Sequence, residues 1–280
     1  MAIRPTRQRA PGRDRGVMIA PYEPGLRPGP RAGAARNQPP LPPAIEVAGL
    51  SKRFGPAVAV HDLSFTVSYG RVTGFLGPNG AGKTTTLRAL LGLIRPDAGR
   101  ALIAGRRYAE LASPFGTVGA LLDAGAVHPG HTGRDHLRVL ARAAGVPIGR
   151  ADDLLAKVGL AAAARQRAGG YSLGMRQRLG LAAALLGDPL ILVLDEPANG
   201  LDPQGIRWLR DLLRSLAAEG RSILVSSHIL AEVAQTVDDV VVISGGRSVA
   251  QAPLEQLAGP GSSLEDAYLE LTGNPNGDPS

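Results

Sequence analysis

The residues from Gly77 to Thr84 have the types and the spacing of a loop that binds phosphate groups. The segment reads Gly-Pro-Asn-Gly-Ala-Gly-Lys-Thr, follows an apolar run at 72–76 and precedes a segment with helical spacing at 85–91. In this context, glycine-rich backbone N–H groups and a helix N-terminus enclose an anion. Lys83 is predicted to contact the β- and γ-phosphates of a nucleotide and Thr84 to bind Mg²⁺. The residues predicted to bind the nucleotide here are Gly77, Pro78, Asn79, Gly80, Ala81, Gly82, Lys83, Thr84 and Thr85.

Two adjacent carboxylates follow an entirely apolar run. Residues 190–194 are wholly apolar, as in a central strand that is buried on both faces, and Asp195 and Glu196 come directly after them. At a strand end beside a phosphate loop, Asp195 is positioned to hold Mg²⁺, directly or through water. Glu196 points to the opposite side and could polarise an attacking water. The alternatives are a chance glycine-rich turn and acidic residues that only end a strand or cap a helix.

Composition limits the classes of function. Hydrophobic residues make up 44% and charged residues 20% of the 280 residues, which is ordinary for a soluble globular protein. No apolar run approaches the ~18 residues needed to span a bilayer, and the start of the chain lacks the apolar centre of a secretory signal. The absence of cysteine excludes disulfides, thiol catalysis and cysteine-based metal sites.

The formal net charge of +7 lies mostly in residues 1–43, which carry eight arginines and two carboxylates. The rest of the chain is close to neutral, so no nucleic-acid partner is expected. Because residues 1–43 are dense in Arg, Pro, Gly and Ala, they are predicted to form a disordered tail. Weak attraction of this tail to an anionic membrane surface is a second interpretation, and Met18 is an alternative start.

The order of patterns predicts an α/β fold with an inserted helical part. Residues from about 128 to 188 are rich in Ala, Leu and Arg at helical spacing, so they are predicted to form a helical subdomain. Asp202 is expected to cap a helix over Pro203–Ala218, and Tyr171–Leu179 to precede a helix over Gly180–Leu186. A further short helix is expected at 263–271, and strands at 44–47, 57–60, 63–67, 99–103, 190–194, 222–225 and 240–243.

The motifs occur in an order that resembles the nucleotide-binding subunit of ABC transporters. The phosphate loop is followed by Tyr171-Ser172-Leu173-Gly174-Met175, Leu194-Asp195-Glu196-Pro197, Gly200-Leu201-Asp202-Pro203 and Ser226-Ser227-His228. The similarity covers roughly residues 44 to 250. It looks closest to the branch of bacitracin-, lantibiotic- and other antibiotic-type exporters, whose signature reads Tyr-Ser-Leu-Gly-Met rather than Leu-Ser-Gly-Gly-Gln. The segments at 121–129, 132–134 and 265–273 are also similar to that branch.

The resemblance implies the P-loop NTPase core of the ABC ATPase type, with an antiparallel β-subdomain and an inserted α-helical subdomain. It implies an ATPase domain at 44–258, followed at 259–280 by a C-terminal helix and a disordered end. The implied ligands are ATP and Mg²⁺.

The resemblance also implies a head-to-tail homodimer with two ATPs at the interface. Each ATP would be held by the phosphate loop of one subunit and by Ser172 and Gly174 of the other. Gly174 would open a helix whose N-terminus faces the γ-phosphate across the interface. His228 would contact the γ-phosphate and orient the water, so that Glu196 and His228 are the catalytic residues. Asp202 of the Gly-Leu-Asp-Pro motif is included among the nucleotide-binding residues.

Two positions depart from the usual pattern of this family. Phe54 stands where the adenine-stacking residue is commonly tyrosine, and a phenyl ring keeps the stacking face without the hydroxyl. Asp123 stands where the family usually has a glutamine at the contact with the membrane subunit. A carboxylate there can bind Mg²⁺ or water but cannot donate a hydrogen bond. Asp123 is therefore predicted as a nucleotide-binding and metal-binding residue with an altered role in coupling.

The function implied by the resemblance is that of an ATP-binding and ATP-hydrolysing subunit at the cytoplasmic face of the cell membrane. It would power a separately encoded multi-span permease that exports an antibiotic, peptide or other amphipathic compound. The alternative is a soluble ABC ATPase that acts on ribosomes or DNA without a membrane partner. Such proteins typically carry two nucleotide domains or long coiled-coil arms, whereas this chain has one phosphate loop and no sustained heptads.

Overall fold

Two β-sheets organise the computed structural model, which describes residues 42–123, 127–257 and 263–273. The first sheet is antiparallel with the order β2–β1–β4, and its strands are β1 (Ile45–Phe54), β2 (Ala57–Val67) and β4 (Ala98–Ile103). The strands predicted at 57–60 and 63–67 are one strand in the structure. The pairing register of β1 and β2 shifts near Asp62, which has a φ of 51°, so the alternation is interrupted while the pairing continues.

The second sheet has six strands in the order β5–β6–β7–β3–β8–β9. Its strands are β3 (Val72–Leu76), β5 (Val118–Leu121), β6 (Ile191–Asp195), β7 (Ser222–Ser227), β8 (Asp239–Ser244) and β9 (Arg247–Pro253). All neighbours are parallel except β8 and β9. Strands β3, β6 and β7 are buried at every residue and adjacent, so the segments that follow them meet at one edge of the sheet.

Nine α-helices connect or cover these strands in the described part of the chain. They are α1 (Lys83–Leu90), α2 (Pro114–Thr117), α3 (Gly133–Ala144), α4 (Arg150–Lys157), α5 (Leu173–Ala184), α6 (Pro203–Ala218), α7 (Leu230–Ala234), α8 (Leu254–Leu257) and α9 (Leu264–Thr272). Helix α6 has the predicted bounds, and the Asp202 carboxylate caps it by accepting from the Gly205 N–H at 2.7 Å. None of the described helices is long and apolar enough to cross a lipid bilayer.

Helix α5 corrects one prediction. The helix expected over Gly180–Leu186 begins earlier, at Leu173, and ends at Ala184. The physical reason is a side-chain cap, because the Ser172 hydroxyl accepts a hydrogen bond from the Met175 N–H at 3.2 Å. The segment from Leu173 to Leu179 therefore lies inside the helix rather than before it.

Two hydrophobic cores lie on opposite faces of the six-stranded sheet. Leu192 and Leu194 of β6 face a core shared with α3 to α6, whereas Ile191 and Val193 face a core shared with α1 and the antiparallel sheet. This alternation is the period of a strand that is buried on both sides. The α/β class, with an antiparallel sheet and helices inserted between β5 and β6, is as predicted.

The predictions for the chain ends fall only partly on described residues. The predicted C-terminal helix is present as α9, and Ser263 caps it. The predicted disordered segments fall almost entirely on residues 1–41 and 274–280, which lie outside the described residues.

Candidate functional site

The predicted phosphate loop connects β3 to α1 and passes close to neighbouring backbone. A Cβ atom at Gly77 would lie 2.6 Å from the carbonyl oxygen of Ile243. A Cβ atom at Gly82, where φ is +99°, would lie 2.4 Å from the carbonyl oxygen of Ala59. Both positions therefore require glycine, and the loop is fixed against β8 on one side and β2 on the other.

Lys83 is buried inside this loop with 6% of its surface exposed. Its ammonium donates to the carbonyl oxygens of Gly77 at 2.6 Å and Pro78 at 3.3 Å. The same Nζ atom lies 3.4 Å from Oε1 of Glu196. The loop thus holds a cation at its centre, beside the carboxylate that follows β6.

Asp195 joins two hydroxyl groups at the strand ends. Its Oδ2 accepts from the Thr84 hydroxyl at 2.6 Å, and its Oδ1 accepts from the Ser226 hydroxyl at 2.5 Å. A hydroxyl beside a carboxylate is an oxygen donor set that suits Mg²⁺, which usually keeps waters and substrate phosphates as its other ligands. The described residues contain no cluster of three His, Cys, Asp or Glu side chains that could hold a metal alone. Thr84 and Asp195 therefore fit a metal that phosphate oxygens complete.

Glu196 has a strained backbone that its neighbours hold in place. Its φ of 48° lies in the left-handed region, which is unfavourable for a residue with a side chain. Its N–H donates to the hydroxyl of Ser226 at 3.0 Å and to the carbonyl of the same residue at 3.2 Å. Its carbonyl oxygen accepts from Nε2 of Gln177 at 3.2 Å. Strand β7 and helix α5 thus fix this residue from both sides.

The carboxylate of Glu196 lies between a lysine and a histidine. Oε2 lies 2.8 Å from Nδ1 of His228, and Oε1 faces the ammonium of Lys83. A cavity of about 210 Å³ opens beside them, and its lining residues are Ala59, Pro78, Asn79, Gly80, Gly82, Lys83, Thr84, Thr85 and Glu196. One cavity therefore combines a phosphate loop with a fixed carboxylate, which is the arrangement that hydrolysis of a phosphoanhydride needs.

A second acid, the half-buried Glu232, lies beyond the histidine, in α7. Burial raises the pKa of the Glu232 carboxyl, and the nearby charge of His228 lowers it while that of Glu196 raises it. Its Oε2 atom is buried without a hydrogen-bond partner among the described residues. The region around Glu196 thus contains an acid that the fold does not fully accommodate.

Ser172 and Gly174 lie at the exposed start of α5. A Cβ atom at Gly174 would lie 3.0 Å from the carbonyl oxygen of Gly200, so the first turn of α5 packs closely on the segment that precedes α6. Neither Ser172 nor Gly174 is among the described residues that line the phosphate-loop cavity. The structure does not bring these two predicted site residues to the phosphate loop of their own chain.

Asp123 lies near the carboxylates of Asp195 and Glu196. Together with Asp195, Glu196 and the α5 residues Arg176 and Gln177, it lines a groove that adjoins the site. Its position beyond the end of β5 is therefore compatible with a contact to Mg²⁺ or water at this edge of the sheet.

Phe54 and Asp202 lie outside the lining of the phosphate-loop cavity. The Phe54 ring, at the end of β1, is 52% exposed, and Nζ of Lys52 lies 5.5 Å from its centroid. An exposed ring face is available for stacking a base. The Asp202 carboxylate is engaged in capping α6, so any nucleotide contact from it would compete with that cap.

Comparison with known proteins places the chain in a family. The family model described as ABC transporter matches residues 60–199. Over 216 residues the chain is 41% identical to the bacitracin transport ATP-binding protein BcrA of Bacillus licheniformis, across 76% of this chain and 71% of that protein. The chain belongs to the ABC transporter family. It is one of the ATP-binding subunits of that family, and the predicted resemblance is confirmed.

Two further similarities agree with this assignment. This ATP-binding subunit is 39% identical over 231 residues to the Nod factor export ATP-binding protein I of Ralstonia nicotianae, across 79% of this chain and 72% of that protein. A solved structure of the ATP binding subunit of an ABC transporter has a TM-score of 0.74 and 30% identity, and covers 81% of this chain and 99% of its own. The predicted fold of the ABC ATPase type and the predicted ATPase activity are therefore confirmed.

Proposed function

We propose that Glu196 is the general base of the ABC subunit. We further propose that His228 contacts the γ-phosphate and helps to orient the attacking water, and that its contact with the Glu196 carboxylate holds that carboxylate in place. The observation that carries this proposal is the position of the Glu196 carboxylate, which lies between Lys83 and His228 at the edge of the phosphate-loop cavity. In this mechanism Glu196 takes a proton from a water whose oxygen bonds to the γ-phosphorus of ATP. The bond between the γ-phosphorus and the bridging oxygen breaks, and ADP and phosphate leave.

The other residues of the cavity neutralise and orient the triphosphate. The Lys83 ammonium and the N–H groups of the loop compensate the negative charge of the phosphates. Thr84 and Asp195 would hold Mg²⁺, with Asp123 nearby, and a bound Mg²⁺ supplies Lewis-acid stabilisation of the transferred phosphoryl group. The ring of Phe54 would stack on the adenine. The domain that carries this chemistry is proposed to extend over 44–258, with its helical subdomain at about 128–188.

The second half of each site is proposed to come from another copy of the chain. Ser172 and Gly174 are at an exposed helix N-terminus and lie outside the lining of their own phosphate-loop cavity. A helix N-terminus favours a phosphate. A head-to-tail homodimer would set this end of α5, with Asp202 beside it, against the γ-phosphate on the partner. ATP would then favour closure more than ADP, because the γ-phosphate meets donors from both subunits.

The membrane partner is proposed to dock beside strand β5, one of the two edge strands of the six-stranded sheet. An open groove of about 420 Å³ runs along it, and its apolar lining includes Leu93 and Phe115, which are 65% and 43% exposed. An apolar groove of this kind suits the apolar face of a short helix from a separately encoded multi-span permease. Asp123 lines both this groove and the groove at the catalytic carboxylates, so it is placed to connect the two. Docking here would put the subunit at the cytoplasmic face of the membrane.

The transported compound is proposed to be an antibiotic, a peptide or another amphipathic molecule, on export. This follows from the names of relatives that serve bacitracin transport and Nod factor export. The soluble alternative, an ATPase that acts on ribosomes or DNA, is not favoured by these relatives. Drug susceptibility of a deletion strain tests the compound class.

The docking site is tested by two variants, Leu93→Asp and Phe115→Asp. Each should lose co-purification with a multi-span membrane protein while it keeps its affinity for ATP.

The decisive test of the mechanism is Glu196→Gln. The amide keeps the size of the side chain but not the negative charge that polarises water, so turnover should fall by about 10²-fold or more. Binding of Mg-ATP should survive, and the protein should accumulate as an ATP-bound dimer in light scattering. Glu265→Gln, an exposed position in α9, is the matched control and should leave turnover unchanged. Near-normal turnover in Glu196→Gln would exclude Glu196 as the base.

A further inference from the structure

Gln177 is a buried amide of helix α5 that contacts the backbone of the proposed base. It is 5% exposed, and its Nε2 atom donates to the carbonyl oxygen of Glu196 at 3.2 Å. Its Oε1 atom is buried without a hydrogen-bond partner among the described residues. The opposite amide orientation would set two acceptor oxygens against each other, so only the observed one forms this bond. A buried amide with an unpaired oxygen is costly to the fold, which points to a role besides stability.

The hydrogen bond of Gln177 differs from those of its two neighbours in the helix. Arg176 donates to the carbonyl of Tyr171 at 2.7 Å, and Arg178 donates to the carbonyl of Val158 at 3.1 Å. Both of these bonds stay among the segments that surround α3 to α5. The bond from Gln177 instead reaches the residue after β6, at the edge of the sheet where the nucleotide would bind.

The bonded residue is one whose position depends on its surroundings. With its φ of 48°, the Glu196 backbone persists only because neighbouring groups hold it. The N–H side is held by Ser226 and the carbonyl side by Gln177. Since the carboxylate and the carbonyl extend from the same Cα atom, relaxation of the backbone would move the carboxylate away from Lys83 and His228.

We propose that Gln177 is a positioning residue for hydrolysis, which holds the Glu196 backbone in the conformation that aims its carboxylate at the attacking water. This rests on the proposed role of Glu196 as the base. Ser172 caps this helix and Gly174 lies in its first turn, about 5–8 Å along its axis from Gln177 at 1.5 Å per residue. One rigid helix therefore contacts the nucleotide of the partner site at its start and orients the base of its own site in its second turn.

The first experiment replaces the amide by an apolar group of similar length, in Gln177→Met. The donor is lost while volume and helix propensity are kept, so kcat should fall about tenfold. The KM for ATP should change less than about twofold, and Mg-ATP should still produce a dimer, because no nucleotide contact is removed. Gln251→Met is the control, since it removes an amide that donates to the Thr66 carbonyl at 2.8 Å far from the site. It should leave kcat unchanged.

The second experiment uses Gln177→Glu, in which the ability to donate depends on pH. An ionised carboxylate cannot donate to the Glu196 carbonyl, whereas a protonated carboxyl can. Burial at this position raises the pKa of the introduced carboxyl above its ordinary value. The ratio of the kcat of Gln177→Glu to that of the unchanged protein should therefore rise several-fold as the pH falls through that raised pKa, while the same ratio for Gln177→Met stays flat. If Gln177→Met fails to fold, the pH dependence of Gln177→Glu alone tests whether the donor at position 177 is needed for hydrolysis.

Two results would overturn the proposal. The first is an unchanged kcat in a folded Gln177→Met. The second is a flat pH ratio in Gln177→Glu, because a purely structural residue would lower activity without regaining it through a protonated donor. Glu196→Gln assayed in parallel separates the two proposals. Normal turnover in Glu196→Gln would reject Glu196 as the base. A large fall in turnover in Glu196→Gln, together with normal turnover in Gln177→Met, would reject only the positioning role of Gln177.

Discussion

Two parts of the proposed site are built in different ways: the phosphate-loop side, around Gly77–Thr84, and the signature side, at Tyr171–Met175 where α5 begins. On the first side, Lys83 and Asp195 are buried and bonded to other residues of the same chain. On the second side, Ser172 is exposed, and its only hydroxyl bond among the described residues is to the Met175 N–H in the first turn of its own helix. The difference supports the proposal that one subunit preassembles half of a site and offers the other half to a second copy of the chain.

The strongest way to break the preassembled half is Lys83→Ala. It removes the buried cation at the centre of the loop, so affinity for Mg-ATP should fall about a hundredfold, as expected for a lost charged hydrogen bond. Titration calorimetry with Mg-ATP measures this. Lys157→Ala, at the exposed end of α4, removes a lysine of the same chain away from the site and should bind normally. Near-normal affinity in Lys83→Ala would show that the loop binds phosphate without its lysine.

Ser172→Arg tests whether the exposed half serves another copy of the chain. A bulky cation at the start of α5 should abolish the Mg-ATP dimer, while the isolated subunit binds ATP within about threefold of normal, because its own loop is untouched. Light scattering and calorimetry measure the two properties.

Ser172→Ala is the matched control for the lost helix cap, which costs about 1 kcal/mol in either variant. It should weaken the dimer without abolishing it. If the arginine variant still dimerises with ATP, the signature segment does not contact the partner's nucleotide.

The smallest expected effect is a change in stability on the phosphate-loop side of the site, on replacement of Glu232. Because the folded protein raises the pKa of this carboxyl, chiefly through burial, its ionised form is less stable in the fold than in the unfolded chain. Glu232→Gln should therefore raise the Tm by a few degrees, or about 1 kcal/mol, well above the raised pKa. The gain should shrink as the pH falls through that pKa, where the natural carboxyl gains its proton in the fold. Calorimetric scans across pH measure this, and an equal gain at all pH values would contradict it.

The features that the sequence predicted are those set by local chemistry. The glycines of the phosphate loop, the carboxylates after β6 and the cap of α6 by Asp202 each depend on residues a few positions apart. The start of α5 was predicted in two ways. The spacing placed it at Gly180, which is wrong because Ser172 caps the helix, whereas the resemblance implied a helix opened by Gly174, close to the observed start at Leu173.

Features that depend on distant neighbours were not predicted. Strand β5 has only four residues, and its side chains do not alternate between apolar and polar. Strand β1 continues through the charged residues Lys52 and Arg53, because the C-terminal end of this strand is exposed to solvent. Gln177 gives no local signal, since its partner lies on another element and the bond exists only after both have packed. The positive φ of Glu196 likewise results from strand ends that meet in the folded chain.

The left-handed backbone at Glu196 has a consequence for protein engineering. Glycine or asparagine would adopt that conformation with less strain. Either substitution should therefore yield a protein that folds at least as well but, with the proposed base removed, hydrolyses ATP at least about a hundredfold more slowly. A selection for heat resistance alone would therefore favour inactive variants at this position. Directed evolution of this subunit has to score turnover alongside survival on heating, because the proposed base, Glu196, has a backbone conformation that is unfavourable for its residue type.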